Sequence, residues 1–108
     1  MNIQLPELQK LLRQRIDEVL HYIWDPIGVS GIPEARDEYD SYVPGVYRLL
    51  FQDSPEGEIA KMLTKIEVEQ MGLGQVPNED ILRKNMKIEE NLRDWAENIQ
   101  SKNDFFTK

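Results

Sequence analysis

A chain of 108 residues, 40% of them hydrophobic, is long enough for one domain with a single modest core. It contains no cysteine, which excludes disulfides and thiolate metal sites. A net charge of −7, from 20 acids against 13 bases, repels phosphate backbones and argues against nucleic acid as a partner. The same charge keeps a small protein soluble and attracts basic proteins. The opening MNIQLPELQK lacks a basic segment and a long apolar run, so no secretory signal is expected. Apolar stretches elsewhere are only a few residues long, so no membrane span is expected and the reading is cytoplasmic.

The first helix is predicted from about Pro6 to Ile23. Leu8, Leu12, Ile16, Val19 and Ile23 recur at spacings of four and three, which builds one buried face. Asp25-Pro26 should end it, because a residue before proline avoids the α region. Residues 27–36 read as a loop with Gly28, Gly31 and Pro33, and its apolar Ile27, Val29 and Ile32 are expected to tuck under neighbouring helices. A second helix should cover Asp37 to Phe51, with Tyr39, Val43, Val46, Tyr47 and Leu50 on one face. Pro44-Gly45 conflicts with that span. The alternative is a helix starting near Tyr42 with Pro44 in its first turn, preceded by a short helical turn that carries Asp37 to Asp40.

Ser54-Pro55-Glu56 has the form of a helix start, with Ser54 as cap. That third helix should run to about Met71 over a face of Ile59, Met62, Leu63 and Ile66, with Gly72 closing it. Asn78 should cap the last helix, where Ile81, Asn85, Ile88, Leu92, Trp95 and Ile99 form a regular seam with one polar member. Residues 101–108 read as a tail that is polar except for Phe105 and Phe106; these dock on the bundle, insert into a partner, or fray with the rest of the tail. The expected architecture is all-α: a single domain over residues 1–108, built as a compact bundle of four main helices with antiparallel neighbours.

Catalytic equipment is sparse. A Cys–His pair is impossible, and a serine triad would have to use His21, the one histidine. None of the four serines stands in a G-x-S-x-G setting, and Gly72-Leu73-Gly74 follows a helix rather than a strand. His21 and Asp25 are four residues apart and face the same side of a continuous helix. With Glu34, Asp37, Glu38 and Asp40 they could in principle hold a hard cation, but the spacing fits no metal loop. No metal, cofactor or catalytic residue is therefore assigned, and a carboxylate-based metal enzyme is kept only as an alternative.

The informative stretch is Trp24 to Leu50. Residues 20–42 hold Asp25, Glu34, Asp37, Glu38 and Asp40 against the single base Arg36. Two readings compete. The acids form a partner-binding surface together with Tyr42, or Asp37, Glu38 and Asp40 load the positive end of the second helix. Trp24 is expected in the core, with its indole N–H bonded to Asp25 or Asp40. Trp95 is expected in the core as well. Tyr42 is expected at the surface.

Trp24-Asp25-Pro26-Ile27-Gly28 and Asp37-Glu38-Tyr39-Asp40 resemble the W-D-P-[IL]-G and D-E-Y-D signatures of an uncharacterised family of small all-helical bacterial proteins. The resemblance covers about residues 16–50, with weaker support at Ile66-Glu67 to Met71-Gly72. It implies a helical fold and no particular activity. Pro44-Gly45 and a longer last helix depart from the family pattern. By class rather than by motif, the chain is similar to acidic immunity proteins, which bind and neutralise a cognate toxin such as a nuclease. The sequence thus points to a non-enzymatic protein-binding protein of this immunity type, with a basic toxin domain as partner. A housekeeping, complex-forming helical protein is the alternative.

Overall fold

The apolar stripe of the first helix is realised as α1, Leu5–Val19, with Leu8, Leu12, Ile16 and Val19 buried. These residues are seen in a computed structural model that describes residues 5–52, 54–70 and 78–107. The helix does not continue regularly to Ile23. Leu20–Trp24 form a π-helical turn, in which residues five apart align rather than residues four apart. Trp24 therefore takes the inward position below Val19 and is 2% exposed, while Ile23 turns outward at 53%. Asp25 ends the turn at φ 31°, ψ 60°, and its N–H donates to the Leu20 carbonyl at 3.0 Å. Proline at 26 disfavours the α region for Asp25, and aspartate is one of the few residues that adopts the left-handed alternative.

Two short 3₁₀ turns follow, Pro33–Ala35 and Asp40–Tyr42, and α2 spans Val43–Phe51. Of the two starts expected for this helix, the later one is found. Pro44 sits in the first turn, where its missing N–H costs nothing. Gly45 faces the following helix, α3, Glu58–Lys65: a Cβ there would lie 2.8 Å from Met62 Cε, the flexible end of a side chain that can move aside.

The expected Ser54 cap is corrected. No side-chain hydrogen bond from the neighbouring residues caps α3. Its first N–H groups are instead taken by Glu89, a buried carboxylate of α4, Asn78–Thr107. Gly57 N–H donates to Glu89 Oε2 at 2.7 Å and Ala60 N–H to Oε1 at 2.9 Å. Arg93, one turn further on, donates to Glu89 Oε2 at 3.1 Å and to the Pro55 carbonyl at 3.0 Å. A helix end is thus capped across the bundle by an ion pair, which satisfies the same orphan donors that a local serine would.

A second π turn, Ile66–Gln70, extends α3. It carries Glu67, 1% exposed, to buried Asn85, whose Nδ2 donates to Glu67 Oε2 and to Thr64 Oγ1, each at 3.1 Å. Lys84 Nζ reaches the other Glu67 oxygen at 3.4 Å. The polar member of the seam is therefore held by a network. As α3 advances from Gly57 to Glu67, its partners on α4 retreat from Glu89 to Lys84, so the two helices are antiparallel. The contacts of Arg13 over Tyr47 (4.5 Å) and Trp24 beside Tyr42 (5.9 Å) show the same for α1 and α2.

The result is an all-α bundle of four main helices, with no strand among the described residues. Its core joins Ile16, Leu20 and Trp24 to Val46, Ile59, Leu63 and Leu92. At 1.5 Å per residue α4 is about 45 Å long, which accounts for the 50 Å long axis of a body only 16 Å thick. The helix backbone of α4 continues through Thr107. The Gly72 cap, the loop 72–77 and the side chains of Asn78, Phe105 and Phe106 lie outside the described residues.

Trp95 is a further correction. It is 38% exposed, with the Arg15 guanidinium 5.2 Å from its ring centre. At 100° per residue it stands roughly 40° off the line joining Ile81 and Ile99, at the margin of the buried face.

Candidate functional site

The two sequence signatures meet in space. Asp25, left in the left-handed conformation by the end of the π turn, points its carboxylate into the following loop. Oδ1 accepts the Val29 N–H at 2.7 Å and the Tyr39 hydroxyl at 2.8 Å; Oδ2 accepts the Ser30 N–H at 3.1 Å. The Tyr39 oxygen in turn accepts the Ile27 N–H at 3.3 Å. Gly28 completes the turn at φ 69°, a conformation that suits glycine. Tyr39 is 1% exposed and packs against Trp24, ring centres 5.3 Å apart.

W-D-P-I-G and D-E-Y-D together therefore make a joint, which fixes the loop between α1 and α2 without regular secondary structure. Burial pulls the Asp25 carboxyl upward, but the hydrogen bonds from Tyr39, Val29 and Ser30 outweigh it and hold the group below its ordinary value. Burial, reinforced by the bond to Asp25, pushes the Tyr39 hydroxyl well above its own.

The five acids expected to act together divide into two groups. Asp25 is half-buried and belongs to the joint. Glu34, Asp37, Glu38 and Asp40 are exposed. They do not load the first turn of α2, which contains no acid and begins beyond them at Val43. Arg36, the base in their midst, is drawn away by α1. Its Nη1 and Nη2 donate to the two Asp17 oxygens at 3.1 and 2.8 Å, and its guanidinium lies 5.3 Å from the Tyr22 ring centre. Among the described residues no ion pair links the four exposed acids to a base. Burial, then the charge and hydrogen bond of Asp17 and the charge of Asp37, push the Asp40 carboxyl above its ordinary value, against an opposing pull from Arg36.

Tyr42 is half-buried rather than exposed, edge-on to Trp24 and packed on the core. His21 and Asp25 do not pair. The π turn buries His21 to 2% exposure, with its ring edge-to-face on Tyr22 at 4.5 Å and Nδ1 without a partner. The Trp24 indole N–H, expected to reach a carboxylate, also has none. Among the described residues no group of three or more His, Asp or Glu side chains is placed to hold a metal ion.

In place of the tucked apolar loop the structure shows only Val29 against the core. Ile27 and Ile32 are exposed at 43% and 47%, and Tyr22 at 58%. Asp17, and the grouping of Tyr22, Ile32 and Arg36 with it on one face, are what sequence reasoning missed. Their grouping depends on the π turn and on a contact between residues 17 and 36, neither of which leaves a local signal. No helix among the described residues is long and apolar enough to cross a membrane. No protein-family profile, curated protein or solved structure matches the chain.

Proposed function

We propose that the chain is a non-enzymatic protein-binding protein of the immunity type, which neutralises a basic toxin domain by laying the acidic surface of residues 34–40 over it. The observation that carries this reading is the display of Glu34, Asp37, Glu38 and Asp40, all exposed and without a paired base among the described residues, on a face where the exposed side chains of Tyr22 and Ile32 line an adjoining depression. An apolar centre with a charged margin is how protein interfaces are built. Negative charge steers a basic partner to it and speeds association. The Asp25–Tyr39 joint holds the surface in one shape, which lowers the entropy lost on binding.

Reversing Glu34, Asp37 and Glu38 to lysine should leave helicity unchanged, since none of the three is buried. The association rate with a basic toxin domain that the wild type binds should fall about tenfold or more at low ionic strength. The difference should shrink as salt shortens the screening length to about 10 Å at 0.1 M. An association rate that is the same for wild type and triple variant at low salt removes the proposal.

A further inference from the structure

Two depressions adjoin on the face described above. The first, of about 330 Å³, is lined by His21, Tyr22, Ser30, Ile32, Pro33 and Arg36. The second, of about 520 Å³, is lined by Asp17, Glu34, Asp37 and Asp40 and shares Pro33 and Arg36 as its wall with the first. Their chemistry differs. The first offers the exposed apolar surface of Tyr22 and Ile32, with the buried His21 among its lining and Nδ1 of that ring unpartnered. The second gathers the carboxylates of Glu34, Asp37 and Asp40 beside Asp17, whose own charge is matched by Arg36. The shared cation does not oppose a positive guest, because Arg36 is already held by both oxygens of Asp17 and stacked over Tyr22.

From this pairing we infer the recognition element of the partner: a segment in which an arginine or lysine adjoins a bulky apolar residue. The apolar side chain enters the His21–Tyr22–Ile32 depression and the cation enters the carboxylate depression beyond Pro33. The inference rests on the protein-binding reading above and adds to it the site and the side-chain pair recognised. Charge complementarity selects the cation. The shared wall sets the spacing, since two depressions with a common edge suit neighbouring side chains of one segment. Arginine meets the carboxylates better than lysine does, because its planar fork can bond two oxygens at once.

The probe is a capped hexapeptide alternating leucine and arginine. Its controls replace arginine by glutamate, or leucine by serine. His21 is the only histidine, so its ring resonances report the first depression alone, while the Asp37 amide reports the second. The expected result is saturable movement of the His21 ring, Ile32 and Asp37 signals with the leucine–arginine peptide, and binding at least about tenfold weaker for each control, a difference of about 1.4 kcal/mol. Ile32→Asp should remove the advantage of leucine, and Asp37→Lys that of arginine. Both positions are exposed, so both variants should keep the wild-type spectrum elsewhere. Saturable binding that moves signals on another surface overturns this site while leaving the basic-partner reading intact. Equal binding of all three peptides overturns the side-chain pair. No saturable binding of the leucine–arginine peptide on any surface counts against the site and the broader reading together.

Discussion

Trp24→Ala should destabilise the protein by about 3–5 kcal/mol, the cost of emptying a buried indole position, while Ile23→Ala should change stability by no more than roughly 0.5 kcal/mol. A regular helix through residue 23 requires the opposite order, because it places Ile23 on the stripe of Leu12, Ile16 and Val19. The π turn exchanges the two, leaving Trp24 at 2% exposure and Ile23 at 53%. Against a total stability of about 5–15 kcal/mol for a domain of this size, the tryptophan change approaches global unfolding. Chemical denaturation of the two variants, read by helix content, separates the cases. A Trp24 variant that melts with the wild type would place the indole at the surface and undo the account of the joint.

Glu89→Gln should cost about 3 kcal/mol. It removes the charge from a buried pair with Arg93 and turns an amide donor toward the Gly57 and Ala60 N–H groups that the carboxylate accepts. Ser54→Ala should stay within about 0.5 kcal/mol, since Ser54 does not cap α3; a serine cap would be worth about twice that.

The pH dependence has a definite sign. Burial raises the Glu89 carboxyl, but the bonds from Gly57, Ala60 and Arg93 prevail and hold it below its ordinary value of 4.5. Asp25 is likewise held below its ordinary 3.8. A lowered folded-state value means stability that is fully present above the ordinary value and is lost as pH falls through the lowered one. The wild type should therefore lose stability below about pH 4.5, and Glu89→Gln should lose less over that range. Asp40, held above its ordinary value, acts in the opposite direction. Stability–pH curves for both proteins, measured by urea denaturation, decide the matter. Parallel curves would contradict the role given to Glu89.

Why some of this was legible in the sequence and some was not follows from the range of the interactions. Helix faces are set by local periodicity, and the stripes through Ile16, Val46, Leu63 and Leu92 can be read directly. Pro44 likewise marks a first turn once the helix is started at residue 43. The π turns were hidden, because an apolar repeat at four and three residues fits Ile23 as well as Trp24, and only packing against Tyr39 chooses between them. The cap of α3 was hidden for another reason: Ser54 matches the local pattern, whereas Glu89 lies on a different helix and enters through tertiary contact. At the candidate site, the acids themselves were visible as composition. Their division into one structural carboxylate, Asp25, and four displayed ones was not, since it depends on Tyr39 reaching back to Asp25 and on Asp17 withdrawing Arg36.

The central claim is that the Asp25–Tyr39 joint gives the loop before α2 a fixed shape and so presents its acidic and apolar side chains as a surface. Amide hydrogen exchange at Val29 and Ser30 tests it most directly, because both N–H groups lie outside regular secondary structure and both donate to Asp25. Marked protection of these two amides is expected at neutral pH and should be lost in Asp25→Ala, with protection of α3 and α4 retained. Exchange at Val29 and Ser30 as fast as in an unstructured peptide, in the wild-type protein, would contradict it.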